Sequence, residues 1–254
     1  MIIVGASSGI GEALARLFAA EGYSVGLCAR RLDLLTALYS EISGSAIRQM
    51  DMSKPDDAVE VFRGLVEEMG GADIVIISAG TGFINPELEW IKEKATIEVN
   101  VTGFCALTNA AVKYFMGRGH GHVVAISSVA ALFGSPHAPA YSASKAFISN
   151  YMEGLRGKMK SLRLPITITD IRPGFCGYGD GTGPRYLLDG FTPRSCPADI
   201  QIDSEEESLR LRHTKMAPRR MAYENHAPNI VPTLRTPRLN SFDNMRVRTR
   251  SALR

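Results

Sequence analysis

The sequence predicts an α/β protein built on a doubly wound parallel sheet, followed by an irregular C-terminal tail. Three observations lead there. Over residues 1–175, short apolar runs alternate with segments of helical period. The runs are apolar on both faces, as strands covered by helices on two sides must be. After residue 175 that alternation stops, and composition changes with it.

The elements follow in order. IIVGA is a short first strand, and GEALARLFAAEG a helix closed by Gly. YSVGLCAR is a second strand, LDLLTALYSEI a second helix and AIRQMDM a third strand. KPDDAVEVFRGLVEEMG is a helix with Pro in its first turn and acids near its positive end. ADIVIISAG is a fourth strand. Ile91 to Val112 reads as helix interrupted near Gly103. GHVVAISS, the helix from Ser142 to Ser161, and the strand PITITDIRPG complete the body. Right-handed crossovers wind such units into one sheet, whose ligands bind beyond the carboxyl ends of the strands. The residues that follow each strand are therefore the candidates for chemistry.

Length and composition set bounds. The chain has 254 residues, 45% of them hydrophobic, enough for one sizeable core. Its apolar runs are strand-length, so no membrane span is expected. MIIVGASSG enters a strand and a glycine loop directly, without the basic start and long apolar stretch of a secretory signal. Cys28, Cys105, Cys176 and Cys196 have no CxxC or metal-ligand spacing, which suggests a reduced, cytoplasmic chain with free thiols and no metal site. Residues 1–175 are near neutral, with 16 Lys and Arg against 17 Asp and Glu; the remainder carries 13 against 9. No nucleic-acid partner is expected.

After the first strand, Gly5-Ala6-Ser7-Ser8-Gly9-Ile10-Gly11 opens a helix. Glycines allow a tight turn and a close approach to pyrophosphate, and the helix N-terminus supplies free N–H groups. A plain strand–helix turn is the blander alternative. The context, a strand before and an amphipathic helix after, favours a Rossmann-type dinucleotide site. No Lys-Ser/Thr follows, which excludes a Walker-type NTPase loop. The second strand ends in Ala29-Arg30-Arg31. An acid there would suit the ribose diol of NAD; arginines suit a 2′-phosphate, so NADP is expected over NAD, against the alternative of a solvated basic turn. Asp51, after the third strand, either accepts from an adenine amino group or caps the helix that follows.

Ser128 ends the fifth strand, Tyr141 comes 13 residues later, and Lys145 lies one helical turn beyond it. An ammonium beside a phenol stabilises the phenolate. Ser128 would hold a substrate oxygen while Tyr141 moves its proton; a surface Tyr–Lys pair is the alternative. Asn100 sits in helical sequence that it either bends or uses to orient a water. His120 and His122 are read as turn residues ahead of the fifth strand rather than a metal pair, and Phe83 and Trp90 as packing residues.

GASSGIG, SAG at Ser78-Ala79-Gly80, VNVTG, ISS, YSASK and RPG together resemble the short-chain dehydrogenases/reductases in order and spacing. The resemblance covers residues 1–175. It implies a catalytic tetrad of Asn100, Ser128, Tyr141 and Lys145, with Lys145 also bonding the nicotinamide ribose. It implies cofactor contacts at Gly5, Ser8, Ile10, Gly11, Ala79 and Gly80, and Pro173-Gly174 flanking the nicotinamide. The small-molecule substrate would be a carbonyl or secondary alcohol, and a homodimer or homotetramer is implied. Val4 and Ser78 depart from the common Thr and Asn.

The family pattern stops at Cys176. Members resembling this body continue with a segment such as VDTxMA, whose Thr bonds the nicotinamide carboxamide. Here Tyr178 stands in that place. Residues 176–254 hold 7 of the 13 prolines, and 12 of their 13 basic residues are Arg, a composition close to that of disordered tails. Read one base downstream, with permitted codons, CGYGDGTG gives VDTAMAQG, SLRLRH can give the strand-like AFVYVT, and HTKMAPRRMAYENHAPNIVPTL gives TRRWRLVAWLMKIMPRILYRHL. Met216-Ala217 and Met221-Ala222 must then each yield Trp. The expectation is a tail that is frameshifted from near Phe175–Cys176 or disordered. The alternative is a divergent basic tail with a role of its own, such as binding an acidic surface.

Overall fold

The computed structural model describes residues 1–42 and 44–174. The predicted tail, with Phe175, Cys176, Tyr178 and Cys196, lies outside the described residues.

Six parallel strands form one sheet in the order β3-β2-β1-β4-β5-β6. They are β1 (Ile2–Val4), β2 (Gly26–Ala29), β3 (Ala46–Gln49), β4 (Ile74–Ile77), β5 (Gly121–Ile126) and β6 (Ile166–Ile171). The chain winds outward from β1 to β3, then returns beside β1 with β4 and winds the other way. The doubly wound expectation is met, and the switch point falls between β1 and β4.

Period-two alternation divides the core. Ile2, Val4, Val75, Ile77, Val123 and Ala125 face one side, where they pack with Phe62, Leu65, Phe104, Phe115 and Met152. Ile3, Ile76, Val124 and Ile126 face the other, against Leu14, Phe18, Leu35 and Leu38. Each large side chain so buried contributes about 1.5–3 kcal/mol of transfer free energy. β3 departs from the two-sided pattern: Arg48 and Gln49 are exposed, because β3 borders the sheet on one side only.

The helices are α1 (Gly9–Ala20), α2 (Leu32–Glu41), α3 (Pro55–Glu68), α4 (Trp90–Ile97), α5 (Phe104–Arg118) and α6 (Pro139–Ser161). In α3, Pro55 opens the helix, Asp56 and Asp57 occupy its first turn, and Ala58, Phe62, Leu65 and Val66 supply the buried stripe. α5 stops at Gly119, whose φ of 80° lets its N–H bond Phe115 O. The interruption expected near Gly103 is a π-helical turn, Glu98–Gly103, between α4 and α5. α6 starts earlier than its predicted Ser142, because Pro139 fits the first helical position and brings Tyr141 into the first turn.

Two packing expectations are corrected. Trp90 is 67% exposed and Phe83 41%; Trp90 sits at the first residue of α4 and Phe83 on the connection before it, away from both cores. His122 also differs: it lies within β5, where its Nε2 pairs with Thr169 Oγ1 at 2.9 Å. Among the described residues, Cys28 and Cys105 are free thiols, and no helix is long and apolar enough to cross a membrane.

Candidate active site

A cleft of about 290 Å³ opens at the carboxyl ends of the strands, across the switch point. Gly5 follows β1, Arg30 follows β2, Asp51 lies just past β3, Ala79 and Gly80 past β4, Ser128 past β5, and Pro173 and Gly174 past β6; all line it. Ser7, Ser8, Gly9 and Ile10 complete one wall, with Tyr141 and Lys145 of α6 opposite the sheet edge. Of the residues singled out from sequence, Gly11 and Asn100 stand behind the lining.

The glycine loop is shaped by two close approaches. Gly5 has φ +90°, and a Cβ there would lie 2.5 Å from Ala79 N. A Cβ on Gly11 would meet Gly5 O at 2.2 Å, so its place behind the wall is what lets α1 pack on the loop. Ser8, in extended conformation at the start of α1, makes no side-chain cap, leaving the helix N-terminus directed at the cleft. Arg31 reaches over the same loop: its Nη2 donates to Ser8 Oγ at 2.6 Å and to Ser7 Oγ at 3.3 Å.

Asp51 lines the cleft, but it does not cap α3, whose start carries no side-chain cap. Its Oδ1 accepts from Ser53 N at 3.0 Å and Ser53 Oγ at 2.8 Å, forming the turn before α3, while the residue also lines the cleft. Burial pushes its carboxyl up, but the Ser53 hydrogen bonds and the Arg30 and Lys54 charges hold it below the usual range.

On α6, Tyr141, Lys145, Ile148, Ser149 and Met152 form the buried stripe, so helical spacing aims phenol and ammonium at the sheet. Lys145 Nζ donates to Ile126 O at 3.0 Å. Burial pulls this ammonium down to about 8, against the Asp170 charge, which pulls it up. Burial pushes the Tyr141 phenol up, opposed by the nearby Ser128 hydroxyl. Ser128 Oγ also accepts from Ala130 N at 3.1 Å, which fixes its rotamer. In the protein alone, burial therefore outweighs the depression that sequence reasoning expected for Tyr141.

Asn100 lies on the π-helical turn, fully buried. Its Oδ1 accepts from Thr81 N at 2.8 Å, and its Nδ2 donates to Thr81 O at 2.6 Å and to Ser144 Oγ at 2.9 Å. Ser144 in turn donates to Tyr141 O at 2.7 Å. Both amide hydrogens are thus committed to protein: the side chain clamps the Gly80–Gly82 segment to α6 rather than facing the cleft. The next residue, Gly82, lies under the Tyr141 ring, where a Cβ would come within 2.3 Å of Cδ2. Sequence reasoning passed over Thr81, Gly82 and Ser144, whose relevance comes only from this contact chain. It also passed over Asp170, an acid in an apolar strand, which was a visible signal.

The arrangement can bind a dinucleotide along the strand ends and place a carbonyl or hydroxyl between Ser128 and Tyr141. A family profile described as short chain dehydrogenase matches residues 1–181. An uncharacterised oxidoreductase of Mycobacterium tuberculosis is 39% identical over 214 residues, covering 80% of this chain and 79% of the relative. An uncharacterised oxidoreductase of Myxococcus xanthus is 37% identical over 180 residues, covering 68% and 70%. Among solved structures, an actinorhodin polyketide ketoreductase with NADPH superposes with a TM-score of 0.64 at 29% identity, covering 68% of this chain and 69% of the other.

Proposed function

Since the chain belongs to the short-chain dehydrogenase family of oxidoreductases, we propose that it moves a hydride between the nicotinamide of NADP and a carbonyl or secondary alcohol. The observation that carries this reading is the convergence of Ser128, Tyr141 and Lys145 on the cleft that the glycine loop also lines.

The residues present fit the cofactor. Gly5 and Gly9 line the cleft beside the start of α1, whose free N–H groups would meet the pyrophosphate, and Gly11 packs the helix close behind them. Arg30 and Arg31 would take a 2′-phosphate through charge-assisted bonds. Asp51 would take the adenine, Ala79 and Gly80 would border the ribose, and Pro173-Gly174 would flank the ring. The nicotinamide, when bound, gives or takes the hydride. Tyr141 Oη gives or takes the proton at the substrate oxygen, and Ser128 Oγ holds that oxygen. Lys145 binds the ribose and stabilises the phenolate. Asn100 keeps the Thr81–Gly82 segment against Tyr141.

NADPH oxidation over a panel of ketones and aldehydes, beside an NADPH-binding titration, tests the reading. Absence of both binding and turnover overturns it. Binding without turnover supports a second reading, a cofactor-binding but catalytically silent chain, which the Cys176-Gly177-Tyr178 departure favours. We propose that this departure arises from a shift of reading frame near Phe175–Cys176. A soluble chain in the cytoplasm, paired with copies of itself, completes the proposal.

A further inference from the structure

Asp170 is an acid within β6, and only 6% of its side chain is exposed. Burying a carboxylate is unfavourable unless partners hold it. Ser127 donates its hydroxyl to Asp170 Oδ1, and Arg172 donates Nε–H to Oδ2 at 2.8 Å. Ser149, one helical turn beyond Lys145 on α6, closes the ring. Its hydroxyl donates to Ser127 Oγ at 3.3 Å and accepts from Arg172 Nε at 3.2 Å. Ser127 itself stands between Ile126, whose carbonyl takes the Lys145 ammonium, and Ser128. The four side chains form a polar floor joining the strand ends to the helix that carries Tyr141 and Lys145.

Lys145 is the catalytic charge nearest this floor, and it is 5% exposed. The groups about it come from every packing element. Tyr141 lies on its own helix, and the uncharged Asn100 amide lies beside it near Gly80. Asp170 comes from β6 and Arg172 from its exit. The two opposite charges are not equivalent. Arg172 is 43% exposed and screened by water, whereas the carboxylate is enclosed, so the pair presents a net negative field to its buried neighbours. The direction agrees with the upward pull of Asp170 on Lys145 against burial.

We propose that Asp170 is a positioning residue for Lys145: its enclosed carboxylate, held by Ser127 and Arg172, keeps the ammonium charged so that it can hold the ribose and the Tyr141 phenolate. This rests on the reading of Lys145 given above. Removing the carboxylate charge makes Lys145 lose its proton at lower pH. Removing the Arg172 charge leaves the carboxylate less compensated, and Lys145 keeps its proton to higher pH. Loss of local structure would move both variants the same way.

The test is NADPH affinity by fluorescence titration of the full chain from about pH 6.5 to about 9.5, with melting curves alongside. The proteins are the wild type, Asp170→Asn, Arg172→Gln and Lys145→Met. Wild-type affinity should begin to fall above about pH 8. In Asp170→Asn that break should move down by about one pH unit, and in Arg172→Gln it should move up. A folded Asp170→Asn whose break coincides with the wild type overturns the inference. If Asp170→Asn does not fold, Arg172→Gln decides, and an unmoved or lowered break overturns it. Lys145→Met should lose affinity and the break together. If it keeps both, the cofactor-site reading itself fails and this inference falls with it.

Discussion

The Lys145 ammonium lies 5.7 Å from the centre of the Tyr141 ring, one helical turn away on the same buried face of α6. In the protein alone, neither group sits at its ordinary value: burial lowers Lys145 to about 8 and raises Tyr141. Each shift comes first from burial, opposed at Lys145 by the Asp170 charge and at Tyr141 by the Ser128 hydroxyl.

Tyr141→Phe removes the proton donor and keeps the ring. Turnover should fall by at least about 100-fold, while NADPH affinity stays within about threefold of the wild type, since the lost hydroxyl is assigned to substrate rather than cofactor. Steady-state rates and a binding titration on the same preparation check this; retained turnover refutes the acid–base assignment.

Gly82→Ala should act on the chemistry without touching the dinucleotide. Its methyl would lie 2.3 Å from Tyr141 Cδ2, so the ring must shift. Displacement of a catalytic group by about 1 Å costs on the order of 100-fold in rate, and kcat should carry that loss while NADPH affinity holds. Gly117→Ala, where nothing lies within 4 Å, is the control for an ordinary glycine substitution.

Replacing Arg30 and Arg31 together by Ala should weaken NADPH binding about tenfold or more and leave NADH binding little changed. Arg31 bonds Ser7 and Ser8 of the glycine loop and lines the cleft with Arg30. Parallel titrations with the two cofactors decide; an equal loss for both would mean that the arginines serve the loop, not the phosphate.

His122 makes stability depend on pH. Burial lowers its value from 6.5 to about 4 in the fold, so between those limits the unfolded chain binds the proton and the folded chain does not. Its contribution is fully present above about pH 6.5 and is lost as pH falls toward 4, by on the order of 3 kcal/mol. Urea unfolding at several pH values should show this slope, and His122→Gln should flatten it.

The gene should carry a reading-frame displacement at the Phe175–Cys176 codons. Restoring it by one base should place Thr where Tyr178 stands and increase turnover over the present chain. A nucleotide sequence in which no single-base change gives the shifted text rules this out.

Much of the site was legible because its residues follow strands. Once alternating apolar runs identify a parallel sheet, Gly5, Arg30, Asp51, Ala79, Ser128 and Pro173 must gather at one edge, however far apart they lie in the chain. Tyr141 and Lys145 were legible through helical spacing. Trp90 and Phe83 were misread because an aromatic residue in sequence carries no sign of which way its element faces. The displaced start of α6 was missed because Pro139 reads equally as a turn and as a first helical residue.

By itself, the sequence determined the alternation of elements, the sheet that follows from it, the glycine loop between β1 and α1, and the order Ser128, Tyr141, Lys145, since each of these depends on local period and spacing. Only the tertiary structure decided that Asn100 clamps Thr81 rather than facing the cleft, that Gly82 lies beneath Tyr141, and that Asp170 joins Ser127, Arg172 and Ser149 near Lys145. Apart from Asp170 and Arg172, these pairs lie 19 to 59 positions apart, and their side chains meet only when helix packs on sheet. Burial there sets the protonation of Lys145 and Tyr141, and burial is a property of the packed whole that no single segment carries.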